Sequence, residues 1–196
     1  MRIIIFLLSS LFLCSSVNSQ VGIGMVFGND LFQSVQNELD GVPNAPKSVL
    51  LSPYFGPKLY IGGERLSVSL HTGIGISAFS WDWSDYKGMG TLYAPALFSI
   101  NFGGLSGFTE EKSALGFSVV GGYLITMTDL YFRAEEYSES TVNLNGMPLI
   151  QLAAGTGGKG ASLYGYFRYG YEDSNHQFYS LGIGLEVNFT QRKKYR

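Results

Sequence analysis

The stretch Phe178 to Phe189, FYSLGIGLEVNF, alternates without a break between large apolar and small or polar residues. Successive side chains of an extended strand point to opposite faces. Tyr179, Leu181, Ile183, Leu185, Val187 and Phe189 therefore share one face, and Ser180, Gly182, Gly184, Glu186 and Asn188 the other. The first face has an aromatic at each end and no charge between them, the profile of a strand that crosses a bilayer between two aromatic girdles.

Composition agrees with that reading. Charged residues make up 14% of the 196 residues, while Gly 26, Tyr 13 and Phe 14 are all high; an ordinary soluble surface carries roughly 25% charge. A net charge of −2 gives no field to gather nucleic acid. Met1-Arg2 and the apolar Ile3 to Cys14 have the length of a signal peptide and are short for a membrane helix. Cleavage after Ser19 is expected, making 1–19 the signal peptide, 20–189 the folded domain and 190–196 a basic tail. Lipidation at Cys14 would call for a small residue in place of Leu13. Cutting at Ser19 removes the single cysteine, and with it disulfides and thiol catalysis.

Along the chain the same alternation predicts eight strands, at about 20–28, 49–61, 66–80, 92–102, 115–126, 149–154, 161–171 and 178–189. Pro53 and Pro57 cannot donate to a ladder and should interrupt the second. Asn29 to Ser48, with a helical turn over Leu31 to Leu39, and Met127 to Pro148 are read as long loops, and Gly155 to Gly160 as a turn. A hairpin within Tyr131 to Asn145 would raise the count to ten. The connections alternate between long and short, except that Gly103 to Ala114 is long where a short one is due.

The second face decides the environment. A soluble barrel turns its apolar side inward and solvates the other side with many charges; here the other face is mostly Gly, Ser, Asn and Tyr, with Lys58, His71, Arg168 and Glu186 as its ionisable members. That suits a narrow lumen. Counting from the turns puts Lys58, His71 and Glu186 at similar depth, predicting a Lys58–Glu186 pair inside the barrel with His71 close by.

At its last strand the chain resembles the closing strand of outer-membrane β-barrels. Their assembly signal is a polar or small residue, a glycine two places on, and apolar or aromatic residues three and five places later; Gly182, Gly184, Val187 and Phe189 fit that spacing. It departs from the pattern in its non-polar first position and in the residues Thr190 to Arg196 that follow. Gln20 to Phe189 thus resembles the small outer-membrane β-barrel family, of OmpA or OmpX type, in strand count, loop asymmetry and closing strand. The resemblance implies an all-β, antiparallel up-and-down transmembrane barrel of eight strands in the bacterial outer membrane. It further implies periplasmic termini, extracellular loops, and as partners the membrane lipid, the barrel assembly machinery or a larger outer-membrane complex. Members serve as anchors, surface-binding proteins or companions of larger machines.

Chemistry is sparse. Asp173, Ser174 and His176 lie close together, but no nucleophile-elbow glycines flank Ser174. Two histidines without a mature cysteine leave zinc few ligands, and Asp82, Asp85, Glu135 and Glu136 lack calcium-loop spacing. The run GTGGKG at 155–160 lacks the Lys-Ser/Thr ending of a phosphate loop. No cofactor is expected. Trp81, Trp83 and Tyr86 form a candidate recognition surface or part of a girdle. Three functions follow: a non-enzymatic barrel acting through its loops, a secreted lipocalin-like carrier of an apolar ligand, and a membrane hydrolase or acyltransferase using His71 or His176.

Overall fold

A computed structural model describes residues 20–37, 47–49, 52–77, 91–127, 144–173 and 176–193. Its strands are β1 (Gln20–Asn37), β2 (Lys47–Val49), β3 (Pro53–Gly62), β4 (Leu66–Thr72), β5 (Ile74–Ser77), β6 (Thr91–Gly103), β7 (Ala114–Met127), β8 (Leu144–Gly158), β9 (Ala161–Asp173) and β10 (His176–Asn188), followed by helix α1 (Phe189–Lys193). All pairings are antiparallel, and β1 pairs with both β10 and β3, which closes the sheet. Since β5 continues β4 and β2 is a short addition to β1, the wall is a closed eight-stranded barrel.

The alternation places the apolar side outward. In β3, Phe55, Leu59 and Ile61 are exposed while Tyr54, Lys58 and Tyr60 are buried. In β10, Leu181 is 52% and Ile183 48% exposed, while Glu186 is 6% exposed. A solvated soluble barrel has the opposite arrangement.

Tyrosines fill much of the interior, and they fit because glycines face them. A Cβ at Gly28, Gly75, Gly182 or Gly184 would overlap the rings of Tyr54, Tyr93, Tyr166 or Tyr164 respectively. Gly182 and Gly184 of the assembly-signal spacing therefore have a packing role in the folded wall. Val187 of that spacing is half-buried on the outer side, and Phe189 is exposed.

Several boundaries differ from the sequence reading. β1 does not stop at Gly28; it runs to Asn37, so strand replaces the expected helical turn over 31–37, and the rest of that turn lies outside the described residues. A β-bulge lies between Asp30 and Phe32, where the register with β10 shifts. Leu31 and Phe32 both face outward, and the inward parity passes from Asp30 to Gln33, so strict alternation cannot detect the second half of this strand.

The prolines of β3 point outward and do not break it; instead the ladder to β4 and β5 lacks the pairs opposite Gly56 and Pro57. Pro57 has no N–H to give there. β8 is 15 residues long rather than a short strand. It runs through Gly155, Gly157 and Gly158, which leaves Lys159 and Gly160, both with positive φ, as the turn to β9. The hairpin considered within 131–145 lies almost wholly outside the described residues.

The long connection between β6 and β7 is folded into the barrel mouth. Leu105, Ser106, Phe108 and Thr109 are all buried, and Gly107 turns the segment with a φ of 79°. Thr109 Oγ1 lies 2.6 Å from the Gly103 carbonyl and 2.7 Å from that of Glu64; Ser106 Oγ donates to the Glu64 carbonyl at 2.8 Å. Phe108 packs edge-on against Tyr60.

The start of the segment after β10 reinforces this stopper. Asn188 Oδ1 caps α1 by accepting from the backbone N–H groups of Thr190 at 3.1 Å and Gln191 at 3.2 Å. Its amide donates to the Gly107 carbonyl, and the buried Gln191 amide donates to that of Phe108.

Candidate functional site

The described ionisable groups of the lumen form two layers. In the layer nearer the stopper, Lys58 of β3 and Glu186 of β10 point inward, and Lys58 Nζ lies 2.6 Å from Glu186 Oε1. The hydroxyl of Tyr60 donates to Glu186 Oε2 at 3.2 Å, and the Lys58 ammonium sits 5.1 Å from the centre of the same ring. His71 is the cross-strand neighbour of Lys58 and is buried. Neither ring nitrogen has a hydrogen-bond partner, nor has the buried hydroxyl of Ser99. Below them Asn101 takes a hydrogen bond from Ser118 and donates to Ser67 and Ser69.

The second layer lies further from the stopper. Arg168 of β9 faces Asp30 of β1, with Nη1 to Oδ1 at 3.5 Å, and both are essentially without solvent exposure. Asp30 also accepts from Tyr93 at 2.9 Å, from Tyr166 at 2.6 Å and from Ser180. Arg168 Nε donates to Gln151 Oε1 at 2.5 Å. Its guanidinium carbon lies 4.4 Å from the centre of the Tyr54 ring and 4.3 Å from that of Tyr166, a separation at which the cation is attracted by both rings. A buried carboxylate with this many donors and a facing cation satisfies the rule that interior charges are paired and hydrogen-bonded.

Of the residues singled out from sequence, Lys58, His71 and Glu186 thus share one layer, and Arg168 belongs to another. Asp30, the centre of that other layer, was missed, because a break in alternation at Leu31-Phe32 assigns it to a loop. Trp81, Trp83, Tyr86 and Ser174 lie outside the described residues, as do the side chains of Asp173 and His176. Among the described residues no cluster of three or more His, Cys, Asp or Glu side chains is arranged to hold a metal ion, and no helix is long and apolar enough to cross a membrane.

No protein-family model matches the chain, and no curated protein matches it. Solved structures do. Neisserial surface protein A is similar at a TM-score of 0.52 and 11% identity over 88% of this chain and 99% of its own. Ail, the attachment invasion locus protein of Yersinia pestis, crystallised with the heparin analogue sucrose octasulfate, is similar at a TM-score of 0.50 and 9% identity over 88% of this chain and 100% of its own. The chain has the fold of these small eight-stranded outer-membrane barrels.

Proposed function

We propose that the chain is a non-enzymatic integral barrel of the bacterial outer membrane. Its termini and basic tail are periplasmic, residues 1–19 are its signal peptide, and its long connecting segments face outward to engage a partner or a larger envelope complex. One observation carries this reading: the outer wall is apolar strand after strand, with Ile23, Phe55, Leu70, Phe98, Phe117, Leu152, Leu163 and Leu181 all exposed. Such a surface is stable against acyl chains and unstable against water. From Tyr179 to Phe189 the chain advances about 3.3 Å per residue and, tilted by roughly 40°, rises about 25 Å, the height of an apolar membrane band.

The outward apolar wall speaks against the lipocalin-like carrier, which keeps its apolar face inside. His71 is enclosed by the wall, which removes it from any substrate approaching from the membrane or from solution. The partner differs in charge from the sulfated sugar held by Ail. The segments joining the strands at the end away from the termini contain Glu38, Asp40, Asp82, Asp85, Asp129, Glu135, Glu136 and Glu139 against Lys47, Lys87 and Arg133. A polyanion is disfavoured there, and a neutral or cationic surface is favoured.

Envelope fractionation followed by gel migration with and without boiling tests the reading. The protein is expected in the outer-membrane fraction, with a band that shifts on heating. Recovery in the soluble fraction with no heat shift would overturn it, and pull-down from detergent extracts then identifies the partner.

A further inference from the structure

Beside the Lys58–Glu186 layer, against Leu105 of the stopper, lies a small cavity, with about 10 Å³ open to the centre of a water molecule, the room one water needs. Its wall combines the apolar Leu105, Val120 and Ala153 with polar side chains that include His71, Ser99 and Asn101, and the Lys58–Glu186 pair borders it. Three atoms of this wall are buried without a hydrogen-bond partner, namely both His71 ring nitrogens and Ser99 Oγ. Two belong to one imidazole, of which a single water can meet one nitrogen. Unpartnered buried polar groups are rare in folded proteins, and ordered water is their usual remedy where the site is polar and large enough.

We infer that this cavity is a binding site for a single water molecule, held between the His71 imidazole and the Ser99 hydroxyl. The chemistry of the wall selects water over an ion. A neutral imidazole has one N–H to give and one lone pair to fill, whichever nitrogen carries the proton, and a hydroxyl both gives and accepts. The Lys58 ammonium has three N–H groups and gives one to Glu186, so it supplies a further donor, while Glu186 supplies a negative charge. A halide would meet that carboxylate and a metal ion would meet the ammonium; a molecule that both donates and accepts meets neither conflict.

Leu105 of the stopper borders the site on one side, and the residues that line it are buried. It also gives His71 a role, since the ring anchors the water that completes the layer around the Lys58–Glu186 pair. This inference stands whether or not the proposed function does, because it depends on the interior alone.

A crystal structure of the refolded full barrel in detergent tests it. A single compact density peak within hydrogen-bond reach of both His71 and Ser99 is expected. A map that resolves other internal waters and is empty at this site overturns the inference, as does elongated density too large for one water. The His71→Leu variant sharpens the result: the peak should vanish while the Lys58–Glu186 pair stays in place, and a peak that persists in that variant overturns the role of His71. Should that variant not fold, the wild-type map still decides.

Discussion

Among the described residues, two ion pairs inside this barrel are built from charges of the same kinds in different company. Lys58–Glu186 is short, has the hydroxyls of Tyr60, at 3.2 Å, and Tyr164 as partners of its carboxylate, and borders a cavity. Asp30–Arg168 is longer, at 3.5 Å, yet Asp30 accepts from three hydroxyls and Arg168 lies against two tyrosine rings and donates to Gln151. Distance alone would rank the first pair as the stronger. The near-complete burial of both its charges and the two rings lying against Arg168 rank the second as the one the fold depends on.

That ranking can be broken most directly at Asp30. Replacing it by Ala leaves Arg168 uncompensated and the hydroxyls of Tyr166 and Ser180 without this acceptor, while Tyr93 keeps the Ser52 carbonyl, and a destabilisation of about 3–5 kcal/mol is expected. The midpoint of urea unfolding of the refolded barrel in micelles measures it, and a loss under about 1 kcal/mol would reverse the comparison. Glu186→Gln should cost less, about 2 kcal/mol, because the amide still bonds to Tyr60 and the cavity wall offers Lys58 other polar neighbours. In the same assay the double replacement Lys58→Met with Glu186→Leu should lie close to wild type, since removing both partners of a buried pair leaves no stranded charge. If the double variant is as damaged as Asp30→Ala, the two layers are equally essential.

Two smaller effects bear on how each layer is framed. Asn188→Ala removes the cap of α1 and the amide that holds the stopper below Lys58–Glu186, with an expected cost of about 1 kcal/mol. Deleting Leu31 removes the bulge residue and joins Asp30 directly to Phe32, which restores simple alternation with Asp30 inside and Phe32 outside. A cost below about 1 kcal/mol is expected. Deleting Asn29 instead would turn Asp30 outward, and its heat-modifiable band should be lost at a far lower temperature. Equal tolerance of the two deletions would show that Asp30 does not need its inward position.

The same contrast explains what was legible in the sequence. The layer of Lys58, His71 and Glu186 lies on strands whose alternation is uninterrupted, so counting by twos puts all three inside. Asp30 lies one residue before a bulge, and the pair Leu31-Phe32 carries no sign of whether the chain is turning out of the sheet or adding a residue to it. Long β8 was under-read because Gly155 to Gly158 resemble a turn by composition, and wall glycines opposite bulky neighbours look identical to turn glycines in one sequence. The stopper was visible only as a connection of the wrong length. Leu105 and Phe108 are too few to announce burial, although Asn188 followed three places later by Gln191 is a helix-start pattern that marks where α1 begins.

The tyrosines seated on glycines have a consequence for how this protein tolerates change. Tyr93 and Tyr166, which hold Asp30, and Tyr54, which covers Arg168, rest on Gly75, Gly182 and Gly28. One extra methyl group at any of three places far apart in the gene product therefore disturbs the same charged hub, without altering a single ionisable residue. In a survey of random variants these uncharged sites should behave as though they were part of the hub itself, and alanine, elsewhere the mildest of replacements, should be among the harshest there.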